Sequence, residues 1–261
     1  MDETSFFRIY MKQSICERGC FLRFKKVLGI LRTKIRLLLM IGVLLAAAAG
    51  CQFAGEYLHS HYIREEVSET SGNISEKKTV VIDSGHGGKD PGKVGINGAQ
   101  EKELNLQIAE KLKKYLEEHQ ITVVMTRIKD ERLADSQVED LKARVELIDK
   151  ESPALAVCIH QNSYPQESVR GPQIFYFAHS KEAKKAAEVM QTELKNFDQE
   201  HAREIKGNTT YYMLKNTKSP IVIVECGFLS SPVEAGMLID EAYQQKLAQA
   251  IGNGILKYVE R

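Results

Sequence analysis

Several patterns that would assign this chain to a well-known class are missing from its sequence. Five cysteines do not make a disulfide framework, and Cys158 and Cys226 lie in apolar runs typical of buried strands. The glycine-rich stretch at 85–88 lacks the Lys-Ser/Thr pair of a phosphate-binding loop and does not match Gly-x-Ser-x-Gly. No internal repeat is visible. A disulfide scaffold, a P-loop protein and a Ser-His-Asp hydrolase are therefore not favoured.

The chain also lacks a strong charge of one sign, although its net charge of +1 hides an asymmetry. Residues 1–36 contain nine Lys or Arg against three Asp or Glu, whereas the remaining residues contain 27 against 32. A basic head of this kind is typical of a membrane-targeting region. The acidic body argues against nucleic acid as a partner.

A long hydrophobic span is missing as well. Leu37–Ala49 is an uncharged apolar run of 13 residues, which fits a secretory signal better than a full membrane span. Counting on to Ala54 gives about 18 residues, so an uncleaved anchor is the alternative. Residues 48–51 weakly resemble a bacterial lipoprotein site. Because the basic flank stays in the cytoplasm, we expect the rest of the chain to lie outside the cytoplasmic membrane, as an anchored, acylated or secreted protein.

Beyond this segment, short apolar runs alternate with amphipathic stretches. This alternation predicts an α/β fold with a mostly parallel central sheet flanked by helices. The predicted strands are Thr79–Asp83, Ile121–Thr126, Ala154–Ile159, Gln173–Phe177 and Pro220–Val224, and the predicted helices are Glu101–Glu118, one through Val138 and Ile148, Lys181–His201 and Glu241–Tyr258. The resulting organisation is a basic head over 1–36, a signal or anchor segment over 37–54, a polar linker over 55–78 and a single folded domain over 79–261.

Four side chains capable of metal or proton chemistry follow the predicted strands or open a helix. His86 lies in the glycine-rich loop after the first strand, and His160 directly follows the third. Glu101 opens the first helix, where it either complements the helix dipole or points back towards the two histidines. Glu225 ends an aliphatic strand, where a carboxylate is costly unless it is paired, hydrogen-bonded or facing a metal. In such folds the site lies beyond the carboxyl ends of the strands.

Two imidazoles and one carboxylate with an open fourth position are a pattern of catalytic zinc sites. A zinc ion held by His86, Glu101 and His160 would lower the pKa of its bound water and polarise a carbonyl group. Glu225 would then take the proton from the water and pass it to the leaving amine. The residues alone therefore predict a zinc hydrolase, without fixing which bond it cuts.

Sequence motifs over the whole predicted domain add a resemblance to a known family. In chain order they are IDSGHGGKDPG (82–92), EKELNLQIAEKL (101–112), CIHQNS (158–163), RGPQIFYF (170–177) and IVECGFLSSP (223–232). The chain resembles the zinc amidases that cut N-acetylmuramoyl-L-alanine bonds (amidase type 3). Within that family, the stretch YYMLKNTKSPIVIVECGFLSSP is most similar to the spore-cortex, germination-specific amidases.

The resemblance carries expectations about individual residues. It implies that His86, Glu101 and His160 bind one zinc ion per domain and that Glu225 is catalytic. We further expect Arg144 and Asn162 to contact substrate. Because the segment between His160 and Gly171 is short, the resemblance also implies an open site without a blocking helix.

The implied substrate is the amide bond between N-acetylmuramic acid and L-alanine in peptidoglycan. The implied process is spore-cortex maturation with muramic lactam formation, or wall remodelling, in the cell envelope or spore cortex, with a regulatory partner unidentified. Two alternatives remain open: another zinc hydrolase of peptidoglycan, such as a carboxypeptidase or deacetylase, and a wall-binding protein without turnover.

Overall fold

The computed structural model describes Leu39, Met40, Gly42 and residues 78–260. The predicted head over 1–36, the linker up to residue 77 and all but three residues of the 37–54 segment lie outside the described residues. Within the part that is described, no helix is both long enough and apolar enough to cross a membrane.

Strands and helices alternate from residue 79 onwards. The strands are β1 Thr79–Ser84, β2 Thr122–Met125, β3 Leu155–Asn162, β4 Gln173–Phe177, β5 Lys206–Asn208 and β6 Ile221–Phe228. The helices are α1 Glu101–Glu118, α2 Gln137–Glu151, α3 Lys181–Phe197, α4 Tyr212–Asn216, α5 Pro232–Leu238 and α6 Glu241–Val259.

The strands form one six-stranded sheet in the order β2-β1-β3-β6-β4-β5. All neighbouring pairs are parallel except β4 and β6, which run antiparallel. The predicted α/β fold with a mostly parallel sheet is therefore confirmed. Its central strands are aliphatic and β-branched because both of their faces are buried.

Apolar side chains alternate between the two faces of this sheet, so each face has its own core. On one face, Ile82 packs with residues of α1, α3 and α6, including Leu112 and Ile251. On the other face, Val81 packs with residues of α2 and α4, including Ile148. Leucine and isoleucine at a spacing of four residues give α1 its buried face. This sandwich of helices holds the carboxyl ends of β1, β3 and β6 side by side.

Two of the central strands run further than the sequence predicted. The ladder between β3 and β6 continues through the pair His160 and Glu225 before a bulge shifts the register ahead of Asn162. Both side chains therefore belong to strands and do not follow them, which corrects the sequence prediction. The continued backbone pairing fixes their positions more firmly than a loop would.

Candidate active site

Three side chains from separate elements converge at the carboxyl edge of the sheet. His86 lies in the loop after β1, Glu101 is the first residue of α1, and His160 lies in β3. Glu101 Oε1 is 3.2 Å from His86 Nε2 and 3.0 Å from His160 Nδ1. Their ligand atoms all lie within 4.8 Å of one another, a grouping that could hold a metal ion.

The distances within this group suit a small tetrahedral cation. Ligand atoms at zinc–ligand distances of 2.0–2.2 Å lie about 3.3–3.6 Å apart when the angles are tetrahedral. The two carboxylate-to-imidazole distances are close to that range. Two imidazoles and one carboxylate are also the donor set of many catalytic zinc sites. The residues therefore fit zinc.

Electrostatics of the group also favour a cation at its centre. Burial opposes charge on Glu101, but hydrogen bonds with His160 and His86 hold its carboxyl pKa well below its ordinary value. Burial likewise opposes charge on His86, but the hydrogen bond and charge of Glu101 raise its pKa to about 9. A carboxylate that stays ionised between two imidazoles attracts positive charge to the place where their atoms meet.

Backbone amides complete the hydrogen bonding of the Glu101 carboxylate. Lys93 N donates to Oε2 at 2.8 Å and Gln161 N donates to Oε1 at 3.1 Å. Asn105, one turn along α1, donates its amide to the carbonyl of Gly85 and to Glu101 Oε1. Glu101 is thus held towards the histidines, so the alternative that it only complements the helix dipole is not supported.

Two glycines allow the three groups to approach each other. A Cβ at Gly85 would overlap the imidazole ring of His160. At Gly92 a Cβ would lie 2.6 Å from Glu101 Oε2 and 2.7 Å from His86 Cδ2. Gly92 also has a φ of 64°, in the left-handed region that glycine enters without strain. Glycines are therefore needed at both positions for the side chains to converge.

Glu225 lies beside the convergent group and is not part of it. It pairs in register with His160 on the neighbouring parallel strand, so both side chains emerge on the same face of the sheet. Glu225 Oε2 is buried and has no hydrogen-bond partner among the described residues. Burial raises the pKa of the Glu225 carboxyl to about 7, against the opposing charge of His160. Glu225 therefore has one oxygen without a hydrogen-bond partner in the described chain, close to the three proposed metal ligands, where it can exchange a proton with a bound water or substrate.

The buried side chain of Arg127 binds the backbone of the glycine-rich loop. Its guanidinium donates to the carbonyl oxygens of Ser84 at 2.8 Å, Gly85 at 3.0 Å and Lys102 at 2.7 Å. The bonds join the loop after β1 to the first turn of α1. They satisfy backbone oxygens that the tight loop cannot pair internally.

Arg144 performs a similar task, and its position corrects the expectation that it contacts substrate. Only 1% of the residue is exposed. Its guanidinium donates to Asp83 at 2.8 Å, Asp140 at 2.9 Å and the carbonyl of His86 at 2.7 Å. A side chain whose donors are all directed into the protein interior supports the loop and does not reach a ligand.

Replacing Arg144 by methionine is expected to lower the free energy of unfolding by about 3–5 kcal/mol, because Asp83 and Asp140 would then keep buried charges without their partner. Urea denaturation of the purified protein measures this. Lys142→Met, on the same helix, removes an exposed side chain that pairs with Glu139, and it should leave the unfolding free energy nearly unchanged. Equal stability of the parent and Arg144→Met would contradict this role.

The same cluster makes the stability difference depend on pH. Burial alone would raise the pKa of Asp83, but the Arg144 charge and the Thr126 hydroxyl hold it below its ordinary value. A carboxyl with a lowered folded pKa stabilises the fold above its unfolded pKa of about 3.9, and this contribution is lost as the pH falls through the folded value. The difference in unfolding free energy between the parent and Arg144→Met should therefore become smaller below about pH 4. Urea denaturation of both proteins at several pH values tests this pH dependence. Excess chelator is present throughout, so that metal release does not contribute. A difference in unfolding free energy that stays constant with pH would contradict the prediction.

A cleft of about 500 Å³ is lined by residues of the segments that follow β1, β3 and β6. Its walls include the half-exposed apolar side chains of Val94, Ile96 and Tyr164. Lys93, whose backbone bonds Glu101, and Ser163, which follows Asn162, connect the cleft to the site. Asn162 itself is half-buried at the end of β3. In the described stretch between β3 and β4 there is no helix.

Sequence reasoning missed several residues that shape this site. Asp90, Asn105 and Arg127 contact the ligands or hold their loop, but the sequence assigned no role to any of them. For Asn105 and Arg127 the available signal was a polar side chain in an otherwise buried part of α1 or of the loop after β2. Their partners are distant in the chain, so spacing alone does not reveal the contacts.

Comparison with known proteins assigns the family. A family model described as N-acetylmuramoyl-L-alanine amidase matches residues 80–257. The chain belongs to this family. It is 36% identical over 189 residues to the germination-specific N-acetylmuramoyl-L-alanine amidase of Bacillus subtilis (strain 168). The matched region covers 69% of this chain and 79% of that relative.

Solved structures of amidases share the fold. The CwlD amidase from Clostridioides difficile, solved in complex with the GerS lipoprotein, has a TM-score of 0.67 and 37% identity, covering 70% of this chain and 98% of that one. The catalytic domain of the amidase CwlV from Bacillus (Paenibacillus) polymyxa var. colistinus has a TM-score of 0.64 and 34% identity, with coverage of 70% and 98%. The predicted family and enzyme class are confirmed: the chain is a peptidoglycan amidase, with an extracellular or cell-envelope location.

Proposed function

We propose that this chain hydrolyses the amide bond between N-acetylmuramic acid and L-alanine with zinc bound by His86, Glu101 and His160, and with Glu225 as the group that transfers protons. The convergence of two imidazoles and one carboxylate beside a buried, unpaired carboxylate oxygen carries this proposal. A non-catalytic wall-binding role would not require such a constellation.

The chemistry divides between the metal and the protein. Bound zinc would polarise the scissile carbonyl and lower the pKa of its coordinated water. Glu225 accepts a proton as the water oxygen bonds to the carbonyl carbon of the lactyl group, and gives it to the amide nitrogen as the carbon–nitrogen bond breaks. The products are a muramic acid carboxylate and a free amino group on L-alanine, so that one water is consumed and all atoms balance.

The surroundings determine how the substrate would approach. The open cleft bounded by Val94, Ile96 and Tyr164 is also lined by Lys93, whose backbone amide donates to Glu101. Its mixed apolar and polar walls suit the sugar and peptide that flank the scissile bond. We place these parts of the substrate there. Asn162, at the end of β3, remains our candidate for a direct substrate contact.

Spore-cortex peptidoglycan is the proposed physiological substrate. This rests on the likeness to the germination-specific amidase of Bacillus subtilis and to CwlD from Clostridioides difficile. Because that CwlD was solved with a lipoprotein, we include a regulatory protein partner in the proposal. Export or anchoring by residues 37–54 is likewise proposed from the sequence.

The metal requirement can be tested on the purified full-length protein. We expect about one zinc per chain, loss of peptidoglycan hydrolysis after removal by a chelator, and recovery when zinc but not magnesium is added back, since imidazole ligands suit zinc. Elemental analysis and release of soluble muropeptides provide the two readouts. Full activity in protein shown to contain no transition metal would rule out the proposed mechanism.

A further inference from the structure

A short turn returns the chain from His86 to a carboxylate that contacts it. The backbones of Gly87 and Asp90 exchange two hydrogen bonds of 3.1 Å each, which closes the turn. Asp90 Oδ2 then lies 3.0 Å from His86 Nδ1, and Asp90 Oδ1 accepts a hydrogen bond from Gly92 N at 3.1 Å. Both oxygens of this carboxylate are therefore used within the loop.

The two nitrogens of the His86 ring thus have different neighbours. Nδ1 lies against Asp90, and Nε2 lies 3.2 Å from Glu101 Oε1, among the convergent ligand atoms. A neutral imidazole carries one proton, and only the tautomer with the proton on Nδ1 leaves a lone pair on Nε2 for a metal. Both Glu101 and Asp90 can accept a proton from this ring. When a metal takes the place of the proton on Nε2, Asp90, which can only accept, holds the remaining proton on Nδ1.

The backbone of His86 needs such support. Its φ of 62° lies in the left-handed region, which a residue with a side chain occupies only when its surroundings hold it there. Arg144 donates to the carbonyl of His86 at 2.7 Å, but that bond does not set the orientation of the ring. The contact between Nδ1 and Asp90 orients the ring.

We propose that Asp90 is a positioning residue for the metal site: it orients the His86 ring and keeps the proton on Nδ1, so that Nε2 is available to the metal. The proposal rests on the proposed zinc-dependent function. Arg132, whose NH2 group is 3.9 Å from Asp90 Oδ2, lies on the side of the same carboxylate oxygen. Outer hydrogen-bond partners of this kind typically contribute 10–100-fold to metal affinity.

The test compares two replacements of Asp90 in the purified full-length protein. Asp90→Asn keeps the shape but offers one acceptor oxygen to two donors. If that oxygen stays with Gly92, the amide NH₂ group faces Nδ1 and favours the proton on Nε2, where the metal must bind. Asp90→Ala removes both bonds and leaves Nδ1 free to donate to water. We therefore expect Asp90→Asn to weaken zinc binding by about 10–100-fold, and more than Asp90→Ala does.

The readout is the zinc dissociation constant from competition with a chromophoric chelator, with circular dichroism to confirm that each variant is folded. Asp130→Asn is the matched control, because Asp130 also anchors this loop, through Gly88 N at 2.7 Å, without touching a histidine. It should bind zinc within about threefold of the parent, since no ligand partner is lost.

A purely structural role for Asp90 gives the opposite order, with Asp90→Ala the weaker zinc binder, and that result would overturn the inference. Zinc affinity close to the parent's in Asp90→Asn, or an equal loss in Asp130→Asn, would overturn it as well. A parent protein that binds no zinc would instead refute the proposed function, so the two failures are distinguishable.

Discussion

Glu225→Gln is expected to lower peptidoglycan hydrolysis by at least about 10²–10⁴-fold while the protein keeps its zinc. The replacement preserves the shape of the side chain but removes the proton acceptor beside His160. Because His86, Glu101 and His160 already supply three ligands, the fourth position is left for water and substrate. Initial rates of muropeptide release and zinc content per chain measure the two effects separately.

Glu101→Gln provides the contrast to this variant. Its Oε1 accepts hydrogen bonds from the Asn105 amide and Gln161 N and lies 3.0 Å from His160 Nδ1, among the ligand atoms, so zinc and activity should be lost together. If Glu225→Gln also lost zinc in proportion to activity, Glu225 would be a ligand and its assigned role would be wrong. Turnover near the parent's rate with zinc in place would equally refute it.

Gly85→Ala is expected to lower turnover by about 10²-fold, which is the scale of a displacement of reacting groups by about 1 Å. The added methyl would overlap the His160 ring, and the ring has to move because the loop backbone is fixed by Arg127. Zinc affinity should fall at the same time, since His160 Nδ1 would leave the other ligand atoms. Chelator competition and initial rates on the same preparation measure both effects.

Gly236→Ala is a matched control for this variant. Gly236 lies in α5, and a Cβ added there meets nothing within 4 Å. Alanine is also the better helix former, so zinc affinity and turnover should stay at the parent's values. Parent-like zinc affinity in Gly85→Ala would show that the loop adapts, contrary to the rigid support described for it.

The sequence was sufficient for the main elements because their patterns are long and regular. The four-residue spacing of leucine and isoleucine predicted α1 with its observed bounds, Glu101–Glu118. The short elements β5, α4 and α5 were not predicted, since three to seven residues are too few to show a period. The helix predicted to reach His201 ends at Phe197, where the chain turns and His201 bonds Asp198.

The structure brings the three predicted metal ligands together, whereas the residues that support them were not found from the sequence. His86, Glu101 and His160 stand at ends of elements that a parallel sheet brings to one edge, so topology alone places them together. Arg144 was misjudged because a motif does not show whether an arginine is exposed or buried. The contact of Asp90 depends on a tight turn with left-handed backbone angles, which residue spacing does not specify.

The bond that is cut tests the central claim most directly. Purified full-length protein is incubated with peptidoglycan and zinc, and the soluble products are identified by mass spectrometry. We predict stem peptides with a free amino group on L-alanine, together with glycan fragments whose muramic acid carries a free lactyl carboxylate. Release of a terminal amino acid from intact stems, loss of acetyl groups from the glycan, or unchanged peptidoglycan with zinc bound would contradict the account.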